Sequence, residues 1–162
     1  MVLLPHFYKN NISDYIDLTI QQQIAGVDLT VKDILKLEGK GIIDFDNSNR
    51  TLPNYSPLAL NEEDNSWDLC AGGYLVCYNE TVEVPASAVG IVLPRSTLMR
   101  CGATLCSALW DPGYKGKGIG LLIVTSDLKI YKNARIAQLI LFETKGAASE
   151  LYSGVYQNEG IK

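Results

Sequence analysis

Histidine and paired cysteines are what this chain has least of. His6 is the only histidine in 162 residues, and the four cysteines, Cys70, Cys77, Cys101 and Cys106, form no C-x-x-C spacing. That argues against a zinc site, which draws on Cys and His at short intervals. The H-x-E and P-C-x-x-C segments of zinc-dependent nucleobase deaminases are both missing, and a histidine-based triad would rest on His6 alone. Basic charge is not in excess either: 14 Lys+Arg stand against 18 Asp+Glu, a formal charge of −4. Duplex binding needs a dense cationic surface, so nucleic acid is not an expected partner, although clustered arginines still suit a small polyanion. No apolar run approaches the roughly 18 residues of a membrane span, and the apolar stretch in "MVLLPHFYKNN" is too short for a signal peptide. A soluble, cytoplasmic protein with reduced thiols and no membrane partner is expected.

Hydrophobic residues make up 47% of the chain, enough for a core without staples, so one domain over residues 1–162 is expected. In "ISDYIDLTIQQQ", Ile12, Tyr15, Ile16 and Ile20 recur at near-helical spacing behind Ser13 and Asp14 as caps, predicting a short N-terminal helix. "GVDLTV" alternates apolar and polar residues as a strand does, with Asp28 required either to face solvent, which local sequence favours, or to meet a cation. "DFDNSNRTLPNYSPLALNEEDNS" reads as a long irregular surface loop. From Trp67 onward, short β-rich runs ("YLVCYNETVEV", "VGIVL", "ATLCSALW", "IGLLIVT", "ARIAQLILFE") alternate with turn residues. That spacing predicts a mostly β jelly roll or barrel. "GYKGKGIG" matches no phosphate-loop pattern and reads as a hairpin turn.

Two segments carry candidate chemistry. In "PRSTLMR", Arg95 and Arg100 flank Ser96, and guanidinium forks with a hydroxyl and neighbouring N–H groups make a triphosphate cradle. The same spacing also fits an arginine pair on a solvated strand end. In "LWDPGYKG", Asp111 enters a Pro-Gly turn with Tyr114 beside it, where a carboxylate could take a proton from water or hold a sugar hydroxyl. It equally fits an ordinary Asx-turn residue.

The order of "GVDLTV", "GKGIIDFDN", "YLVCYNETVEVP", "PRSTLMRCGATL", "WDPGYKGKG" and "ARIAQLILF" resembles the dUTPase and dCTP deaminase superfamily over about residues 20–157, with the archaeal-type dUTPases as the nearest group. The resemblance implies a distorted jelly roll assembled as a homotrimer with interfacial active sites and dUTP as the substrate. It gives phosphate binding to Arg95, Ser96, Arg100 and Gln138. Asp111 would position the attacking water and the 3′-hydroxyl, Tyr114 would pack on the deoxyribose, and Asp28 would join a Mg²⁺ site through water.

Within that superfamily, the zinc-independent deaminases carry a catalytic glutamate in the strand after D-P-G. The matching run here, Ile119 to Thr125, has no acid, which favours dUTP hydrolysis over dCTP deamination or a bifunctional enzyme. A catalytically silent nucleotide-binding regulator is the reading from another class; retention of Asp28 and Asp111 favours an enzyme. The end of the chain, "LYSGVYQNEGIK", is closer to the tyrosine-rich tail of the deaminase branch than to a glycine-rich arm. Tyr152, Tyr156 and Gln157 are expected to close the site from a mobile tail spanning 152–162, ordered around bound nucleotide.

Overall fold

A computed structural model describes residues 1–161. Its elements in chain order are β1 (Val2–Leu3), β2 (Ile12–Ser13), α1 (Leu18–Gln21), β3 (Val27–Glu38), β4 (Asn54–Pro57), β5 (Ser66–Leu69), β6 (Gly72–Tyr78), β7 (Thr81–Glu83) and β8 (Ala88–Pro94). Then follow α2 (Ser96–Arg100), β9 (Ala103–Cys106), β10 (Lys115–Gly116), β11 (Ile119–Val124), β12 (Leu128–Tyr131) and β13 (Arg135–Glu143). The expected mostly β architecture is present, as a curled antiparallel sheet with the form of a half-barrel. No helix among the described residues is long and apolar enough to cross a membrane.

β13 is the hub. One edge pairs along its length with β8, from Ala137 opposite Pro94 to Glu143 opposite Ala88, while β3 and β1 share the other edge. β3 continues the sheet through β6 and β11 to β9. β3 passes from pairing with β13 at Val27–Thr30 to pairing with β6 from Val31, and the run Val27, Asp28, Leu29, Thr30, Val31 is buried without alternation. The polar residues of "GVDLTV" therefore do not face solvent. Asp28 meets two guanidinium groups instead, the outcome an acid among valines requires once water is excluded.

Three other expectations change in the folded chain. Only one turn of the N-terminal helix forms, at Leu18–Gln21, and its cap is Asp17, which accepts from Thr19 N at 2.9 Å and Ile20 N at 3.2 Å. Ile12 and Ser13 instead extend as β2 against β7, where Ile12 buries its side chain opposite Val82. Within the long loop, Asn54–Pro57 pairs with Leu35–Glu38 as β4, which carries Tyr55 onto the sheet.

"GYKGKGIG" is not a hairpin turn but a glycine track beneath aromatic rings. A Cβ on Gly118 would come within 2.5 Å of the Trp110 ring, and one on Gly120 within 2.5 Å of the Tyr78 hydroxyl. Gly118 also has φ +68°, a backbone conformation that side chains disfavour. Gly118→Ala should therefore cost roughly 1–3 kcal/mol. A urea midpoint and slope indistinguishable from wild type would show that the Trp110 ring moves aside freely.

Candidate functional site

The residues singled out by sequence fall into two groups at opposite ends of β8. At one end, strand register sets Asp28 directly opposite Gln138. The Asp28 carboxylate has no exposed surface. Its Oδ2 takes Arg95 Nε and Arg135 Nη1, each at 3.1 Å, and its Oδ1 takes Gln138 Nε2 at 3.3 Å. Burial pushes its carboxyl above the ordinary value, and the two guanidinium groups and the Gln138 amide oppose that rise. Arg95 is tied further, through Nη1 to Arg135 O at 3.2 Å and through its backbone N–H to Ile136 O at 2.9 Å. Arg135 was missed by residue-level reading although it stands in "ARIAQLILF". The signal was its position three residues before Gln138 on a strand paired with Asp28.

A second buried acid braces this end. Glu80 has no exposed surface and accepts from Thr30 N at 2.9 Å and Gln21 Nε2 at 2.7 Å, while the same Gln21 amide nitrogen donates to Asp28 O at 2.9 Å. Gln21 Oε1 takes the backbone N–H groups of Ile16 and Asp17, so the turn before α1 is pinned to the same network. The link from Asp28 to Glu80 runs through a side chain that no local motif marks, which is why sequence reading did not find it.

"PRSTLMR" leaves the end of β8 at Pro94 and turns at once into a helix. Arg95 caps the one-turn helix α2 in an extended conformation, and Ser96 and Arg100, four apart, share the same helical face, both exposed. The first-turn N–H groups have no acceptor within the helix. The arginine pair therefore splits: Arg95 is anchored on Asp28, and Arg100 projects outward.

Asp111 stands at the other end. Trp110 bridges to Gly90 near the start of β8, and Tyr114 N bonds Asp111 O at 3.0 Å across a turn in which Gly113 has φ +81°. With Pro112 and Gly113 at its centre, this is the geometry of a type II turn. Among the described residues the Asp111 side chain makes no hydrogen bond, so it does not serve as an Asx-turn acceptor; it is exposed and lines a cleft of about 290 Å³. The Tyr114 ring is buried, 5.3 Å from Trp110 and 5.6 Å from Tyr152, both edge-on, and burial pushes its hydroxyl pKa up. Leu52, Tyr55, Tyr156 and Glu159 complete the rim. Leu52 and Tyr55 come from the long loop and β4, contributions that sequence reading did not anticipate.

The tail lies along this turn segment. Tyr152 N bonds Pro112 O at 2.8 Å, and Gln157 is bidentate, taking Lys115 N at 2.9 Å and donating to Gly113 O at 3.0 Å. Lys117 N then reaches Glu159 O at 2.9 Å, and a parallel bridge joins Gly116 to Glu159. Tyr152, Tyr156 and Gln157 thus gather with Asp111 and Tyr114, while Arg95, Ser96, Arg100, Asp28 and Gln138 do not. Gly90 and Arg95 are five positions apart, with four residues of β8 between them, roughly 16 Å at an ordinary strand rise.

A dCTP deaminase-like family model matches residues 8–144. The chain belongs to that family. It is 44% identical over 161 residues to a probable deoxyuridine 5′-triphosphate nucleotidohydrolase of Methanosarcina acetivorans, covering 98% of this chain and 91% of that one. It is 40% identical to the deoxyuridine 5′-triphosphate nucleotidohydrolase of Methanocaldococcus jannaschii, over 97% of this chain and 99% of that one. Among solved structures, the 2′-deoxycytidine 5′-triphosphate deaminase of Agrobacterium tumefaciens shares the fold with a TM-score of 0.59 at 20% identity. That match spans 86% of this chain but only 47% of the deaminase chain.

Removing the Asp28 anchor should loosen this family member as a whole. Asp28→Ala leaves two guanidinium groups facing each other and should cost about 1–3 kcal/mol, less than a fully buried pair because the Arg95 and Arg135 side chains are 26% and 32% exposed. Thermal unfolding of the variant unchanged from wild type would show that water replaces the carboxylate without penalty.

Proposed function

We propose that this family member hydrolyses dUTP to dUMP and pyrophosphate, with Asp111 as the base that takes a proton from the attacking water. The observation that carries the reading is the Asp111 carboxylate, which is free of hydrogen bonds to the described residues and set at an aromatic-lined cleft of about 290 Å³. Water attacks the α-phosphorus, a new P–O bond forms, and the bond to the β-phosphate oxygen breaks as pyrophosphate departs with its electrons. The proton goes to Asp111. Tyr114 and Tyr152 provide an apolar surface for deoxyribose, and Tyr156 closes the rim. Arg95, Ser96, Arg100 and Gln138 hold the triphosphate oxygens, with guanidinium charge offsetting what builds up on the leaving group.

Both groups of residues must reach one triphosphate, yet they lie at opposite ends of β8. The β-phosphorus is only one bridging oxygen from the α-phosphorus, so roughly 16 Å of strand is too far for one chain to serve both ends of the reaction. The reading therefore requires a second copy to bring its Arg95 group to the Asp111 cleft, as in a homotrimer with interfacial sites. Ile91 and Leu93, 37% and 48% exposed on the outer face of β8 beside Gln138, offer apolar surface for such packing.

Asp28 is a poor fit to a metal: both oxygens are engaged, none of its surface is exposed, and the described residues contain no cluster of three His, Cys, Asp or Glu. Magnesium is therefore assigned to the substrate, entering as the Mg²⁺–triphosphate complex, and Asp28 orients the guanidinium groups that meet it. The names of relatives 40–44% identical favour dUTP over dCTP, as does the lack of any acid in β11.

With a panel of Mg²⁺-nucleotides scored for pyrophosphate and ammonia, dUTP should yield pyrophosphate and dCTP no comparable ammonia. Ammonia from dCTP at the dUTP rate would replace the reading with deamination, and binding without either product would make the protein a nucleotide-binding regulator. Asp111→Asn should lower turnover roughly a hundredfold or more while retaining affinity, and Arg95→Ala should weaken both. Mixing the two inactive variants and reassociating the subunits should restore activity, up to about one quarter of the sites under random assembly of a cyclic oligomer. No recovery despite demonstrated subunit exchange would place the whole site in one chain.

A further inference from the structure

Among the described residues Glu159 is the one cleft residue besides Asp111 with a carboxyl group, and the hydrolysis described above does not use it. It reaches the cleft because the tail is fastened on both sides of it: Asn158 N bonds Lys115 O at 2.7 Å, and Glu159 O accepts from Lys117 N at 2.9 Å. Its side chain is partly buried among Tyr55, Tyr114, Tyr156 and the neighbouring Cys77 thiol, and among the described residues no lysine or arginine lines the cleft. Burial pushes the carboxyl above its ordinary value, and no cation among the described residues opposes it. An acid desolvated without a partner carries a standing cost, which a ligand N–H can offset.

The geometry points to Glu159 as the side chain that reads the nucleobase edge, its carboxylate accepting the N3–H of uracil and facing the bare N3 lone pair of cytosine with repulsion. This rests on the uracil-nucleotide reading of the cleft. The aromatic walls sandwich or edge a planar ring, and a carboxylate on the rim supplies the one thing those walls lack, a strong acceptor. A charge-assisted bond to an imide N–H strengthens the right base, and two facing acceptors weaken the wrong one, so a single group acts in both directions. Carried by the tail, the acceptor is in place only when residues 152–161 are docked, which couples base selection to closure.

The test is titration of the full-length protein with non-hydrolysable α,β-imido analogues of dUTP, dCTP and N3-methyl-dUTP. Wild type should prefer the dUTP analogue over both others by about tenfold or more, as expected for a bond to a charged group. E159Q keeps the shape and tail docking, and its amide can turn its NH₂ toward cytosine N3. The uracil-over-cytosine preference should therefore fall about tenfold, back toward parity. E159A should lose the discrimination against N3-methyl-dUTP. Where E159A also undocks the tail, seen as lost exchange protection at the Lys115 and Lys117 amides, E159Q alone decides. An unchanged uracil-over-cytosine preference in E159Q overturns the role of Glu159 and leaves the hydrolysis reading intact. A wild type that binds none of the three analogues overturns the uracil-nucleotide reading itself.

Discussion

The Asp28 carboxylate, with no exposed surface and held between Arg95 and Arg135, is the contact on which the candidate site depends. It joins three pieces of chain that are distant in sequence: the start of β3, the exit of β8 and the start of β13. A buried carboxylate tolerates few geometries, because each oxygen must be met by a donor once water is gone. That requirement fixes the direction of both guanidinium groups. An arginine held by an acid is pre-oriented, so it has less side-chain freedom left to lose than an unpaired one.

The network behind Asp28 explains why this corner is irregular. The pairing of β13 with β3 shifts register between Arg135 and Ala137, and that of β3 with β6 shifts between Val31 and Asp33. Thr30 lies between these bulges, and Glu80 accepts its N–H in place of a ladder partner. Gln21 then connects Glu80 to the Asp28 carbonyl. Buried polar groups of this kind contribute little when complete and cost much when broken, so the network acts mainly to specify one backbone path under the two arginines.

At the far end of β8 the materials are opposite in kind. Trp110, Tyr114 and Tyr152 pack edge to face over glycines that let the rings approach the backbone, and among the described residues the only charged groups on the cleft wall are the carboxyls of Asp111 and Glu159. A strand is a stiff spacer, so cationic and acidic ends are held apart at a fixed distance. Such a separation keeps Asp111 from being neutralised by Arg95 within one chain.

Much of the fold was legible because β11 and β13 are carried by runs of branched and aliphatic residues bounded by turns, and β8 by "VGIVL". Ordered motifs likewise singled out Arg95, Asp111, Tyr114 and Gln138 as candidates, since each stands in a short segment with its own local pattern. Asp17, rather than Ser13 or Asp14, caps the helix because β2 pairs with β7, a contact between segments nearly 70 residues apart that periodicity cannot register. The same limit hid Arg135, Glu80, Tyr55 and Glu159. By itself the sequence determined which residues could form strands, turn tightly or carry charge, because those properties are local. Only tertiary structure decided that Asp28 is buried against arginines and that Asp111 and Arg95 lie at opposite ends of a strand. Burial and register belong to the whole sheet, and no single segment encodes them.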